Sequence, residues 1–152
     1  VNLIDYAAFY GSVKIFKFMM LNNVKLTPKI PLFAVAGGNY EIIHILEDSK
    51  CNFNQCLGTA IQFHRNDIAE YLIEDYPEQV NLNYKIFCIS VEMYNAEILY
   101  HNFEKFIDES ILLIASIHGL IDIVQLICSI KEINIDNISH IAFCFFYLSK
   151  QH

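Results

Sequence analysis

The sequence predicts an all-α solenoid of short helix–turn–helix repeats, and three observations carry that prediction. A small residue, a turn residue four places on and an isoleucine four places further recur five times along the chain. Each isoleucine lies in an apolar stripe at spacings of three and four, as in a helix that buries one face. The three prolines, Pro28, Pro31 and Pro77, fall outside the proposed helices, where a residue without an N–H does least harm.

The elements follow in order. Residues 3–27 form the first repeat, with Ala7, Gly11 and Ile15 in "AAFYGSVKIFKFM". The second, 28–54, carries Ala34, Gly38 and Ile42 in "AVAGGNYEIIHIL". The third, 55–81, carries Ala60, His64 and Ile68, and the fourth, 82–109, carries Ser90, Tyr94 and Ile98. The fifth, 110–137, carries Ala115, Gly119 and Ile123, and a partial sixth occupies 138–152. The isoleucines are separated by 27, 26, 30 and 25 residues.

Each column has a physical reason. A small residue lets the first helix pack closely on its neighbour. Gly, or a residue that tolerates left-handed geometry, suits the turn that ends that helix. Three residues later stand Lys14, Glu41, Asp67, Glu97 and Asp122. Four of these are acids, expected in the first turn of a second helix, where the dipole is positive. Phe16, Phe18, Tyr71 and Phe103 lie at stripe spacing and are expected in the core.

These columns resemble the ankyrin repeat. The match is clearest in "LFAVAGGNYEIIHILEDSKCNFN", where "CNFN" stands in place of the family's closing "GADVN" segment, and the fifth repeat ends similarly in "INID". The resemblance runs from about Ile4 to Asn137. The repeats are shorter than the ~33 residues usual for the family, and "KIPLFA" keeps the proline of the opening motif one place out of register. Short, Ile- and Asn-rich repeats resemble a divergent branch abundant in some parasitic protists. The resemblance implies one domain over residues 1–152, an ankyrin-like solenoid of five irregular repeats plus a partial sixth.

Composition narrows the function classes. The chain is 55% hydrophobic and 18% charged, enough to bury a core. A net charge of −7 argues against nucleic-acid binding, which relies on Lys and Arg meeting phosphates. Five cysteines, Cys51, Cys56, Cys88, Cys128 and Cys144, lie mostly in apolar stretches and read as reduced, buried thiols. With no secretory signal at the N-terminus, the expected location is intracellular and cytoplasmic. Ser110–Ile130 is 21 residues long with one formal charge, long enough to span a bilayer. Asp122, His118 and Gln125 interrupt it, and the repeat scheme explains those residues where a span does not.

No catalytic, cofactor or metal site is expected. The Gly37–Gly38 pair lacks the spacing and the Lys-Ser/Thr of a phosphate loop, and equivalent glycines at Gly11 and Gly119 mark it as a turn. Cys51, Cys56 and His64 lack the second close pair that structural zinc uses. The six histidines are spread over different repeats and columns, with no H-E-x-x-H pattern.

In ankyrin-like arrays partners usually meet the exposed end of each first helix. The corresponding positions here are Phe9 and Tyr10, Ala36 and Gly37, Gln62 and Phe63, Glu92 and Met93, and Ile117 and His118. Down the stack, Tyr10, Gly37, Phe63, Met93 and His118 would form one ribbon rich in residue types favoured at interfaces. The expected function is therefore non-catalytic protein binding. Two other readings stand beside it: a membrane-associated helical protein using residues 110–130, or a degenerate array fragment without a selected partner.

Overall fold

A left-handed residue occupies the turn position of each of the five repeats. Gly11, Gly38, His64, Tyr94 and Gly119 have φ of +62°, +76°, +51°, +52° and +68°. In four of these turns the next N–H, from Ser12, Arg65, Asn95 or Leu120, donates to the carbonyl of Ala7, Ala60, Ser90 or Ala115 at 2.8 Å. That bond satisfies a carbonyl the helix end would otherwise leave open. The small-residue column supplies the acceptor, and all five of its side chains are buried.

The computed structural model describes residues 1–77, 84–102, 115 and 119–131. Among them the helices are α1 (Leu3–Phe9), α2 (Val13–Leu21), α3 (Ile30–Gly37), α4 (Tyr40–Asp48), α5 (Cys56–Gln62), α6 (Asn66–Asp75), α7 (Tyr84–Glu92), α8 (Ala96–His101) and α9 (Ile121–Lys131). The described elements are all helical, in repeated helix–turn–helix pairs. The partial sixth repeat and the core expectation for Phe103 lie outside the described residues.

Helices of six to eleven residues are too short to hold in water alone, where about 12–15 residues are needed. Start signals help. The Asn2 N–H donates to Asp5 Oδ2 at 2.7 Å, and Asp5 Oδ1 accepts from Thr27 Oγ1 at 2.7 Å, tying the start of α1 to the segment before α3. Asn39 Oδ1 accepts from the Ile42 N–H at 3.1 Å, and Asn95 Oδ1 from the Ile98 N–H, each a side-chain cap. Glu41, Asp67, Glu97 and Asp122 occupy the first turns of α4, α6, α8 and α9.

The chain divides into two compact units, Val1–Asn81 and Leu82–His152. In the first, α1 packs along α3 and α3 along α5, forming a row of first helices, while α2 packs against α4. The core between them holds Ile4, Ala8, Phe16, Val35, Ile42, Ile43, Leu46, Phe53, Ile61, Ile68 and Leu72. In the second unit α7 packs on α8, with Phe87, Val91, Ile98, Leu99 and Ile123 buried. Ser90 is buried there too, its hydroxyl donating to the Ile86 carbonyl at 2.9 Å.

Three expectations change. Pro31 lies inside α3, in its first turn, where the helix needs no N–H and the fixed φ of proline suits it. Phe18 is exposed, on the side of α2 away from α1 and α4, the helices it packs against among the described residues. Ile15, although in register with four buried isoleucines, is exposed as well. The apolar run at 110–130 is broken by the Gly119 turn before the 11-residue α9 begins. Among the described residues no helix is long and apolar enough to cross a membrane.

Candidate binding surface

The ends of the first helices build the surface. At the end of α3, Gly37 faces the last turn of α1, where a Cβ would lie 2.6 Å from the Ala8 carbonyl oxygen and closer still to that of Phe9. Only a residue without a side chain allows this approach. It lets Phe9, at the end of α1, reach across to Phe63, at the end of α5. The two rings meet edge to face with centroids 5.8 Å apart. Phe9 also meets Tyr10 edge to face at 5.2 Å. Such geometry aligns the positive edge of one ring with the negative face of the next.

The result is an aromatic ridge. Phe9 is half-buried, Tyr10 is 72% exposed and Phe63 is 46% exposed. Gln62 is exposed beside Phe63. Below the ridge the Arg65 Nε–H donates to the Ala36 carbonyl at 3.1 Å, fixing the turn of one repeat to the helix end of the previous one. In the second compact unit, Glu92 is exposed and Met93 half-buried at the end of α7. Ile117 and His118 lie outside the described residues. Of the helix-end positions, Phe9, Tyr10, Gly37 and Phe63 lie near one another through these contacts.

A second aromatic cluster sits on the row of second helices. Glu47 Oε1 accepts from Tyr71 Oη at 2.7 Å and from Tyr76 Oη at 2.8 Å, linking α4 to α6 and the residue after it. His44 Nδ1 lies 2.7 Å from the other Glu47 oxygen. The rings of Tyr40, His44 and Tyr71 contact one another at 6.2–6.3 Å, and Tyr76 stacks on Phe53. Partial burial alone would raise the Glu47 carboxyl. The hydrogen bonds from His44, Tyr71 and Tyr76, with the charge of His44, outweigh it and hold the group below its ordinary value. Burial, then the Glu47 carboxylate, pushes the Tyr71 and Tyr76 hydroxyls up. Burial, then Asp67, does the same to Tyr40. No local motif announces this knot, since Glu47 and Tyr71 are 24 residues apart.

Among the described residues the cysteines and polar groups form no comparable centre. Cys56 is buried, its thiol pushed up to about 12 by desolvation, the state of an inert core thiol. Cys51, Cys88 and Cys128 are free as well. Among the described residues no three His, Cys, Asp or Glu are grouped to hold a metal ion. Among them, too, every buried side-chain oxygen or nitrogen has a hydrogen-bond partner. A cleft of about 470 Å³ within the second compact unit is mainly apolar, lined by Val91, Leu99, Leu120 and Ile123, with Tyr94, Tyr100 and Asp122 as its polar members.

No curated protein matches the chain, and no solved structure does. A family model does, over residues 21–107, from the end of α2 to beyond α8. It is described as a domain of unknown function (DUF3447), and since it takes in more than half of the chain, the protein belongs to that family.

Proposed function

We propose that the chain is a divergent ankyrin-like array that acts as a non-catalytic protein-binding module inside the cell, in the cytoplasm. The observation that carries this reading is the aromatic ridge of Phe9, Tyr10 and Phe63. Tyr10 and Phe63 keep much of their apolar surface in water, although burying a large side chain is worth about 1.5–3 kcal/mol. Tyrosine and phenylalanine are among the types enriched at interface cores, and tyrosine is frequent among hot spots. The ridge stands on turns held by Arg65 and by the Gly37 approach. Binding to it would cost little ordering of the backbone.

The ankyrin reading is supported by the register of small residue, left-handed turn and acidic first turn, which holds in four of five repeats. Met93, half-buried at the end of α7, would form a separate site of its own in the second compact unit.

The test is affinity capture from cells that express the protein, with the wild-type chain and the Tyr10→Ala/Phe63→Ala variant as baits. Proteins retained by the wild type should be lost from the variant, with affinity lowered at least about 30-fold for a hot-spot pair. Circular dichroism of the two baits should coincide. Equal retention by both would remove the ridge from consideration, and lost helicity would show that its rings support the fold.

A further inference from the structure

Successive helix pairs share one register, so the junctions inside each compact unit can be compared position by position. Seven places after the small residue stand Glu41, Asp67 and Asp122, each in the first turn of a second helix. In the first unit both acids meet a donor from the preceding pair. Lys17, ten places after Ala7, bonds Glu41. Tyr40, six places after Ala34, sets its hydroxyl against the Asp67 carboxylate. In the second unit the positions that correspond to Tyr40 and Lys17 hold Ala96 and Tyr100. Among the described residues, neither the Asp122 carboxylate nor the hydroxyls of Tyr94 and Tyr100 have a hydrogen-bond or ion-pair partner.

The exchange of tyrosine for alanine also leaves space. Tyr40 fills its junction with a ring that touches His44 and Tyr71, whereas Ala96 ends at a methyl group. The cleft of about 470 Å³ in the second unit is lined by Ala96 itself. Val91, Leu99 and Ile123 are its buried wall, and Tyr94, Tyr100 and Asp122 are its exposed polar members. An apolar wall with a few unspent polar groups is the composition of a small-molecule site, and the volume falls in the usual range of about 300–1,000 Å³.

We propose that this cleft binds a small aromatic ammonium ion, its ring in the space that Ala96 leaves and its ammonium group on the Asp122 carboxylate. The ring supplies from outside what Tyr40 supplies within the first unit. The ammonium group does for Asp122 what Lys17 does for Glu41. A charged donor bonds a carboxylate about twice as strongly as a neutral one, so a cation outcompetes a phenol of the same size. The rings of Tyr94 and Tyr100 add faces that attract a cation. The net charge of −7 works against an anion in the same place.

The probe is phenethylamine, titrated into the full 152-residue chain and followed by amide chemical shifts. A saturable curve with a Kd of about 1 mM or tighter is expected for a ligand of this size. The shifts should centre on the amides around Ala96 and Asp122. Asp122→Asn should weaken binding at least about 10-fold, and Ala96→Tyr, which puts a ring in the cleft, should abolish it. Phenylpropionate, the same ring with the opposite charge, should not bind. Amides remote from the cleft should superpose in wild type and variants, which separates lost binding from lost fold. The absence of saturable shifts up to about 10 mM would overturn the proposal. So would equal binding by the Asp122→Asn chain, by the Ala96→Tyr chain or of phenylpropionate. Should Ala96→Tyr disturb the fold, Asp122→Asn and the phenylpropionate comparison decide by themselves.

Discussion

The cluster of Tyr40, Tyr71 and Tyr76 closes around a carboxylate, whereas the ridge of Phe9, Tyr10 and Phe63 presents its rings to solvent. Both join different repeats of the first compact unit. In the first, Glu47 Oε1 accepts hydrogen bonds from the hydroxyls of Tyr71 and Tyr76 at 2.7 and 2.8 Å, so both rings have a polar end bound within the protein. Its rings are spent on holding α4 to α6. The ridge has only edge-to-face contacts at 5.2 and 5.8 Å, worth about 0.5–1.5 kcal/mol each. A cluster tied down at both ends is explained by stability. One that leaves Tyr10 72% exposed is explained better by something outside the chain.

The strongest way to break this contrast is Gly37→Ala. The added Cβ would meet the carbonyl oxygens of Phe9 and Ala8, and backbone of this kind yields only by moving α1 away from α3. Overpacking of this sort costs roughly 1–3 kcal/mol, and with backbone on both sides the expected loss is about 3 kcal/mol by urea denaturation. A loss below about 1 kcal/mol would mean that the ridge does not depend on that close approach.

Next comes Glu47→Ala, which strips both tyrosine hydroxyls of their acceptor and should cost about 2 kcal/mol. The knot also has a pH signature. The folded Glu47 carboxyl lies below its ordinary value of 4.5, so its contribution is present above that value and is lost as pH falls through the folded one. Tyr71 and Tyr76 lie above their ordinary 10.0, so theirs is present below pH 10.0 and is lost as pH rises through the folded values. Glu47→Gln should flatten the acid limb and leave the ridge unaltered. An acid limb identical in the wild type and the Gln variant would assign it to other carboxylates.

Much of the architecture was legible because it is local. The small residue, the turn and the acid lie within eight positions, and each acts through backbone geometry or dipole charge within its own repeat. The turn at His64 and Tyr94 was readable only through register, since neither residue type by itself announces a left-handed φ. The caps at Asn39 and Asn95, each one place after the turn, emerge only from the side-chain bonds they make to the Ile42 and Ile98 N–H groups. Exposure at Ile15 and Phe18 was not legible, because it depends on which neighbours a repeat has and not on its own residues. The ridge fell between these cases. Register placed Phe9, Tyr10 and Phe63 in one column set, but their contact depends on how closely Gly37 lets two helices approach. The Glu47 knot joins residues 24 and 29 apart and has no local pattern at all.

The contrast is sharpened by a pair of milder variants. Tyr71→Phe removes one hydrogen bond to a charged acceptor and should cost about 1.5 kcal/mol. Tyr10→Ala/Phe63→Ala removes more atoms, but with both edge-to-face contacts at the low end of their range on an exposed surface it should cost only about 1 kcal/mol. Should the ridge variant prove the more damaging in denaturant, the ridge is structural and its role as a binding surface loses its main support.

The smallest expected effect separates the turns themselves. His64 holds φ +51° where its equivalents Gly11 and Gly38 hold +62° and +76°. A left-handed conformation costs a residue with a Cβ roughly 1–2 kcal/mol, while glycine adds freedom to the unfolded chain worth roughly 0.5–1 kcal/mol. The two terms oppose each other, so His64→Gly should stabilise by about 0.5 kcal/mol. Gly38→Ala should have the opposite sign and cost about 1–2 kcal/mol. It carries a second penalty as well, because its Cβ would lie 2.7 Å from Arg65 Nε and loosen that side chain's bond to the Ala36 carbonyl. Destabilisation by His64→Gly would show that the exposed imidazole contributes more than its backbone strain removes. That result would add His64, the immediate neighbour of Phe63, to the residues that shape the ridge.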